Sequence, residues 1–212
     1  MKSLKLSVSA FAVALALGGA SAHAFELPKV PSLGGSSGGA STASAAEVMK
    51  NTRNSLYAFT KAEVGLAGAL GGYTELAAQK ELLNNLKAGD AAAKKDDLQT
   101  LVTIHESASK EINAKVAAND KLDVSQKSLA AQSMVEYVKG LISSKKTVSS
   151  LQDLAKNPVS LGLEANTVLY AAKEVPSIVA GGASSTTTLV KYLTSNGVDT
   201  SEAKNLASDL GK

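Results

Sequence analysis

The sequence contains no cysteine, which excludes disulfides, thiol chemistry and cysteine-ligated metal ions. It also lacks tryptophan, and aromatic residues make up only 4% of the chain. The fold must therefore be stabilised mainly by burial of aliphatic side chains, which is feasible because a domain of about 150 residues buries roughly 68–70% of its unfolded surface. Alanine, leucine, serine and lysine are abundant. This mixture favours helices over strands.

Arginine is nearly absent, since Arg53 is the single one in the chain. The 22 basic residues are almost balanced by 19 acidic ones. Nucleic-acid binding requires a positive surface that neutralises phosphates. The lysine pairs at 94–95 and 145–146 fit solvated helix surfaces better than such a patch. We therefore expect no nucleic-acid partner.

Residues 1–24 have the three-part pattern of a secretory signal peptide. Two lysines precede the mostly apolar residues 6–17, and Ala22 and Ala24 occupy the small-residue positions of a cleavage site. The apolar part is too short for a bilayer core of ~30 Å, which takes about 20 residues. A buried N-terminal helix is the alternative interpretation. We expect export to the periplasm or the medium, and a mature chain that begins at Phe25.

Residues 25–44 are rich in proline, glycine and serine, a composition typical of a flexible linker. A chain of about 20 such residues spans on the order of 25 Å. It is interpreted as an unused tail, with a docking arm headed by FELPKVPSL as the alternative. The remaining residues, 45–212, are predicted to form one α-helical bundle domain.

The apolar residues of this domain recur at helical spacing, and no segment shows the alternation of a strand. Asn157-Pro158 is a helix breaker, and Pro176 is expected to restart the chain in the first turn of a new helix. The prediction is an all-α bundle of about six helices plus a short C-terminal one. The expected ranges are 45–71, 73–88, 91–118, 125–156, 159–174 and 177–195, with a last helix that ends near 210.

His105 is the only histidine beyond the expected cleavage site and lies within the apolar stripe of its helix. An imidazole there is a candidate ligand, proton switch or general base. A zinc site needs three or four protein ligands, and no second histidine or cysteine is available. We favour a structural role, with Ser109 as the hydrogen-bond partner, and expect His105→Leu to fold and function. No catalytic, metal-binding or cofactor-binding residue is assigned, and no cofactor is expected.

The acidic residues have structural explanations of their own. Glu106 and Lys110 are spaced as a surface ion pair, and Asp96-Asp97 suits the first turns of a helix. Glu63 borders an otherwise apolar helix face. None of the common nucleotide-binding, zinc-protease or serine-hydrolase motifs is present.

Residues 175–193 are the most unusual segment, with 19 residues and one charge, Lys191. They are interpreted as a buried, closely packed helix, and a membrane-entering segment is the alternative. Three functions remain open. The favoured one is an exported, non-enzymatic module that binds a protein partner or a small apolar ligand. The others are a membrane-active secreted factor that uses residues 175–193, and an enzyme without a recognisable motif.

Overall fold

The computed structural model describes residues 44–72, 76–86 and 93–211. The predicted signal peptide and residues 25–43 of the predicted linker lie outside them, as does the expected helix boundary at Gly89-Asp90. The described residues form an all-α bundle without strands, which confirms the predicted fold class. The helices are α1 (Ala45–Ala69), α2 (Ala77–Leu86), α3 (Lys95–Ala118), α4 (Val124–Ala155), α5 (Ala165–Ser195) and α6 (Ser201–Ala207), with 3-10 segments at Pro158–Glu164 and Ser208–Gly211.

Reciprocal side-chain hydrogen bonds define the starts of α1 and α4. The Ser44 hydroxyl accepts from the Glu47 amide at 3.3 Å, and the Glu47 carboxylate accepts from the Ser44 amide at 3.1 Å. Asp123 and Gln126 form the same capping box. Helix α4 therefore begins at Val124, one residue before the predicted range, because the Asp-x-x-Gln spacing satisfies two amides at once.

Helix α1 lies at the centre of the bundle, packed between α3 and α4, while α5 packs against α4 and α3. Its buried residues surround the helix and include Leu56, Phe59 and Leu66, each fully buried. Apolar or small residues on two sides of a helix are typical of such a central position.

The predicted break at Pro176 was wrong, because α5 runs through it without interruption. An internal proline removes one helical hydrogen bond and costs about 3 kcal/mol. The helix continues because residues on both sides of Pro176 form one buried stripe, including Ala171, Val175 and Ile178. Only residues 165–174 of the predicted helix at 159–174 are α-helical. The chain before them is a 3-10 segment that Gly162 interrupts with φ +54° and ψ −124°.

Arg53 of α1 connects the end of α2 to the start of α3. Its guanidinium is buried, with Nε 2.9 Å from Asp97 Oδ2 on α3 and an Nη group donating to the Leu86 carbonyl at 2.7 Å. The carbonyls of a helix's last turn lack partners within the helix. The single arginine thus satisfies one of them at the end of α2 while it pairs with an acid near the start of α3.

Two glycines allow three helices to converge on the Phe59 ring. A Cβ on Gly140 of α4 would lie 2.6 Å from the Phe59 Cα atom, so α1 and α4 are in backbone contact there. A Cβ on Gly182 of α5 would lie 2.9 Å from Leu141 Cδ1 and 3.1 Å from Phe59 Cζ. Local sequence does not distinguish such contact glycines from those that face open space.

Gly181 and Gly182 form a matched pair for testing this packing. Gly181→Ala should stabilise the protein by up to about 1 kcal/mol, because alanine favours helix and, among the described residues, no atom outside the local helix backbone and the two chain neighbours lies within 4 Å of the new methyl group. Gly182→Ala should instead destabilise it by about 1–3 kcal/mol through overpacking. Urea unfolding of both variants measures the difference. Equal free-energy changes would show that α5 does not approach Phe59 as described.

Candidate functional site

A buried ion pair joins the central helix α1 to α3. Glu63 Oε2 lies 2.6 Å from His105 Nδ1, and the two residues are 42 positions apart in the chain. The Glu63 side chain is 2% exposed and the His105 side chain 14%. Charged groups are almost never fully buried unless they are paired. Each residue therefore supplies the partner that allows the other to be buried.

The Phe59 ring packs beside the imidazole of the Glu63–His105 pair. Phe59 lies one helical turn before Glu63, and its ring centroid is 5.8 Å from that of His105 and 5.1 Å from that of Tyr137 on α4. Both contacts are tilted, with interplanar angles of 39° and 51°. Such offset geometries are favourable for aromatic pairs. The glycine contacts that bring α4 and α5 to Phe59 therefore also set the position of the imidazole.

Tyr137 extends the polar contacts to α5. Its hydroxyl donates to the Gly182 carbonyl at 3.1 Å, and the Thr186 hydroxyl donates to the same carbonyl at 2.8 Å. Tyr137 is 1% exposed and therefore needs this partner. We call Glu63, His105, Tyr137 and Thr186 the central polar cluster. Each of the four long helices contributes one of its members.

Burial and pairing shift the acidity of all three titratable members. Burial raises the pKa of Glu63 above its usual 4.5, and the hydrogen bond from His105 offsets this only in part. Burial disfavours the His105 cation, but the hydrogen bond and charge of Glu63, with a smaller effect of Glu106, outweigh it and raise the pKa above 6.5. Burial, aided by the Glu63 charge, raises the pKa of Tyr137, which stays a neutral phenol at physiological pH.

This geometry holds a proton and fixes the orientation of an imidazole. A buried carboxylate at Nδ1 also orients the histidine in catalytic dyads, where the opposite nitrogen Nε2 acts on a substrate. Here the pair is enclosed by Phe59, Tyr137 and the surrounding helices, and access is limited to the small exposed part of His105. Among the described residues, no group of three or more histidines and acids is arranged to hold a metal ion.

The structure places the predicted candidates as follows. His105 lies in the bundle interior as its stripe predicted, but its ring pairs with Glu63 of α1 and not with Ser109 of its own helix. Asp97 pairs with Arg53, and Glu174 lies 3.0 Å from Lys173 at the surface. Glu63 was missed as a partner of His105. The available signal was that both residues interrupt apolar helix faces and so each need a polar neighbour.

The segment at residues 175–193 forms the middle and end of α5. Its buried residues line one side of the helix and pack inside the bundle: Val175, Ile178, Val179, Gly182, Thr186, Leu189, Tyr192 and Leu193. Within the part of the chain that the structure describes, no helix combines the length and the apolar character that a membrane span needs. The segment therefore has a packing partner along most of its length.

A shallow hollow of about 220 Å³ lies on the surface between α3 and α5. Four polar side chains form most of its wall, and Val116 and Leu189 are its apolar members. The polar residues are Asn113, Ser184, Ser185 and Thr188. The hollow is separate from the central polar cluster and carries no charged group.

Among the described residues, the large apolar side chains with the highest exposure lie at the α4–α5 connection. Val159 is 96% exposed and Leu163 is 102% exposed, while Leu161 between them packs against the core. We call the 3-10 segment Pro158–Glu164 the apolar tip. Leu169, 44% exposed, follows in the first turns of α5.

The fold and its interior define an all-α bundle with a polar cluster at the crossing of its four long helices. Comparisons with protein families, with curated proteins and with solved structures found no match. The function must therefore be argued from the geometry of this chain.

Proposed function

We propose that this protein is an exported, non-enzymatic interaction module that binds a protein partner through the apolar tip. The observation that carries the proposal is the near-complete exposure of Val159 and Leu163 in the 3-10 segment Pro158–Glu164. Burying such a side chain is worth roughly 1.5–3 kcal/mol, and neither residue gains this within the bundle. An apolar side chain that the fold leaves exposed is available to a partner.

The conformation of the tip favours presentation of these two side chains. Pro158 starts the segment with a fixed backbone angle, and Gly162 turns the chain with φ +54°. Leu161 packs against the core, whereas Val159 and Leu163 face away from it. The tip thus presents two apolar side chains that could serve as the anchor residues in which interfaces concentrate binding energy.

The size and charge of the tip point to a protein with an apolar pocket. A stable dimer of this chain would need about 800 Å² from each copy, which two side chains and Leu169 do not supply. Binding to an anionic membrane surface would use lysine or arginine beside the apolar residues. The nearby Lys156 is instead paired with Asp153 at 2.6 Å. Glu164 adds a negative charge at the other end of the tip.

The other parts of the proposal rest on different features. Export is supported by the signal-peptide pattern of residues 1–24. The absence of enzymatic activity is supported by the enclosure of the central polar cluster, in which Glu63 is 2% and Tyr137 1% exposed. The membrane-active function of residues 175–193 stays a prediction, and it would require the buried stripe of α5 to leave the bundle.

The tip is tested by photo-crosslinking in cells that export the protein. A photo-reactive residue at position 163 should yield a defined crosslinked protein that disappears when Val159→Ser is added. The matched control is position 124, because Val124 is 85% exposed at the start of α4, whereas the apolar tip follows the end of this helix, which is about 48 Å long. Identical products from both positions, or lipid as the only product at 163, would refute the proposal.

Stability measurements separate loss of binding from loss of folding. Val159→Ser/Leu163→Ser should leave the melting temperature within about 2 °C of the wild-type value, because surface changes cost at most about 0.5 kcal/mol. The same double variant should lose the crosslinked or co-purified partner, and Val124→Ser should keep it. Retention of the partner by the double variant would show that the tip is not the binding element.

A further inference from the structure

We propose that Glu63 and His105 form an internal proton-binding site that makes the packing of α3 against α1 sensitive to pH. The pair holds one proton between two buried groups, one on each helix, at a distance of 2.6 Å. Removal of that proton leaves the Glu63 carboxylate charged in the interior beside a neutral imidazole. The packing of α3 against α1 is then weakened at the Glu63–His105 contact.

The surroundings of the pair make this proton hard to replace. Helix α4 brings the neutral Tyr137 phenol, and α5 brings the Thr186 hydroxyl and the Gly182 carbonyl to that phenol. Besides Glu63, the charge that raises the pKa of His105 among the described residues is that of Glu106 on α3, and it is also negative. No cation among these groups takes over the neutralisation of Glu63 when His105 loses its charge.

A path for the proton exists on one side of the pair. The His105 side chain is 14% exposed, whereas the Glu63 side chain is 2% exposed. Protons therefore exchange with water through the imidazole. The protonation state of the imidazole then affects the carboxylate through the hydrogen bond between them. Such a pair differs from the surface ion pairs of this chain, for example Lys173 with Glu174, where Lys173 is 81% exposed.

Both members of the pair shift stability in the same direction. The folded-state pKa of His105 is raised, so its contribution is complete below pH 6.5 and is lost as pH rises through the folded value. The folded-state pKa of Glu63 is also raised, so folding loses stability as pH rises above 4.5 and that carboxyl ionises. The pair therefore stabilises the bundle in mild acid and progressively less from neutral to alkaline pH.

The experiment is an NMR titration of the histidines of the full chain, with His105→Gln used to assign the signals. We expect His105 to titrate above 6.5 in the wild type and at a lower pH in Glu63→Gln. The melting-temperature difference between the wild type and Glu63→Gln should also shrink between pH 5.5 and pH 9. Glu174→Gln is the matched control, and its small effect should be equal at both pH values.

Two results would overturn the proposal. One is titration of wild-type His105 at or below 6.5. The other is a melting-temperature difference between the wild type and Glu63→Gln that is the same at pH 5.5 and pH 9. If Glu63→Gln does not fold, the pH at which wild-type His105 titrates is sufficient to support or overturn the proposal. Both readouts are independent of partner binding. Failure of this proposal can therefore be distinguished from failure of the proposed function of the apolar tip.

Discussion

His105→Leu should lower the free energy of unfolding by about 3–5 kcal/mol at pH 8, because it leaves Glu63 charged and unpaired in the interior. The loss should be clearly smaller at pH 5, since burial raises the pKa of Glu63 and the carboxyl accepts a proton once its partner is gone. The wild type is itself less stable at pH 8, but there its neutral imidazole still donates a hydrogen bond to the Glu63 carboxylate, which leucine cannot do. Urea unfolding at both pH values measures the two losses. The sequence alone suggested that leucine would be tolerated at this position, but that expectation did not include Glu63.

A matched control distinguishes this effect from the loss of packing. Ile112 is buried on the same helix and is 3% exposed. Ile112→Val should cost about 0.5–1.5 kcal/mol at either pH, because it removes one methyl group and no charge. If the cost of His105→Leu is as independent of pH as that of Ile112→Val, Glu63 is not the partner of the imidazole.

Gly140→Val should destabilise the protein by about 3 kcal/mol, the upper part of the usual range for overpacking. The reason is that a Cβ atom at position 140 would lie 2.6 Å from the Phe59 Cα atom and 2.9 Å from its backbone nitrogen. A backbone cannot move aside as a side-chain end does, so α4 must shift away from α1. Thermal or urea unfolding measures the effect.

Gly65→Ala is the corresponding change on the opposite side of the same contact. Its new methyl group would meet the Ser133 hydroxyl at 3.4 Å, an ordinary contact distance. We therefore expect Gly65→Ala to be neutral or stabilising by up to about 1 kcal/mol. A similar loss in both variants would mean that α1 and α4 are not closest at Phe59.

Local patterns in the sequence were sufficient for the fold class. Helical spacing predicted α1, α3 and α4 to within a few residues, because each buries a face along its whole length. The largest error in the helices was at Pro176, where the local cost of a proline was smaller than the gain from burying Ala171, Val175 and Ile178 on one continuous helix. Helix boundaries that depend on tertiary packing are not readable from the neighbouring residues.

The central polar cluster was only half visible from the sequence. His105 was noted because it interrupts an apolar stripe, and Glu63 because it borders one. Their pairing depends on how α1 and α3 are rotated toward each other, which no local spacing defines. The apolar tip was missed for a different reason. Val159 and Leu163 fall within the helix predicted at 159–174, but they lie in the 3-10 segment that precedes α5 and are exposed there.

The central claim is that Glu63 and His105 act as one unit in the interior. A double-mutant cycle at pH 7 with Glu63→Leu, His105→Leu and the combined variant tests it most directly. We predict a coupling free energy of at least about 2 kcal/mol, within the range for residues in direct contact. The combined variant should therefore be far more stable than the sum of the single losses implies. Additivity within about 0.5 kcal/mol would contradict the account.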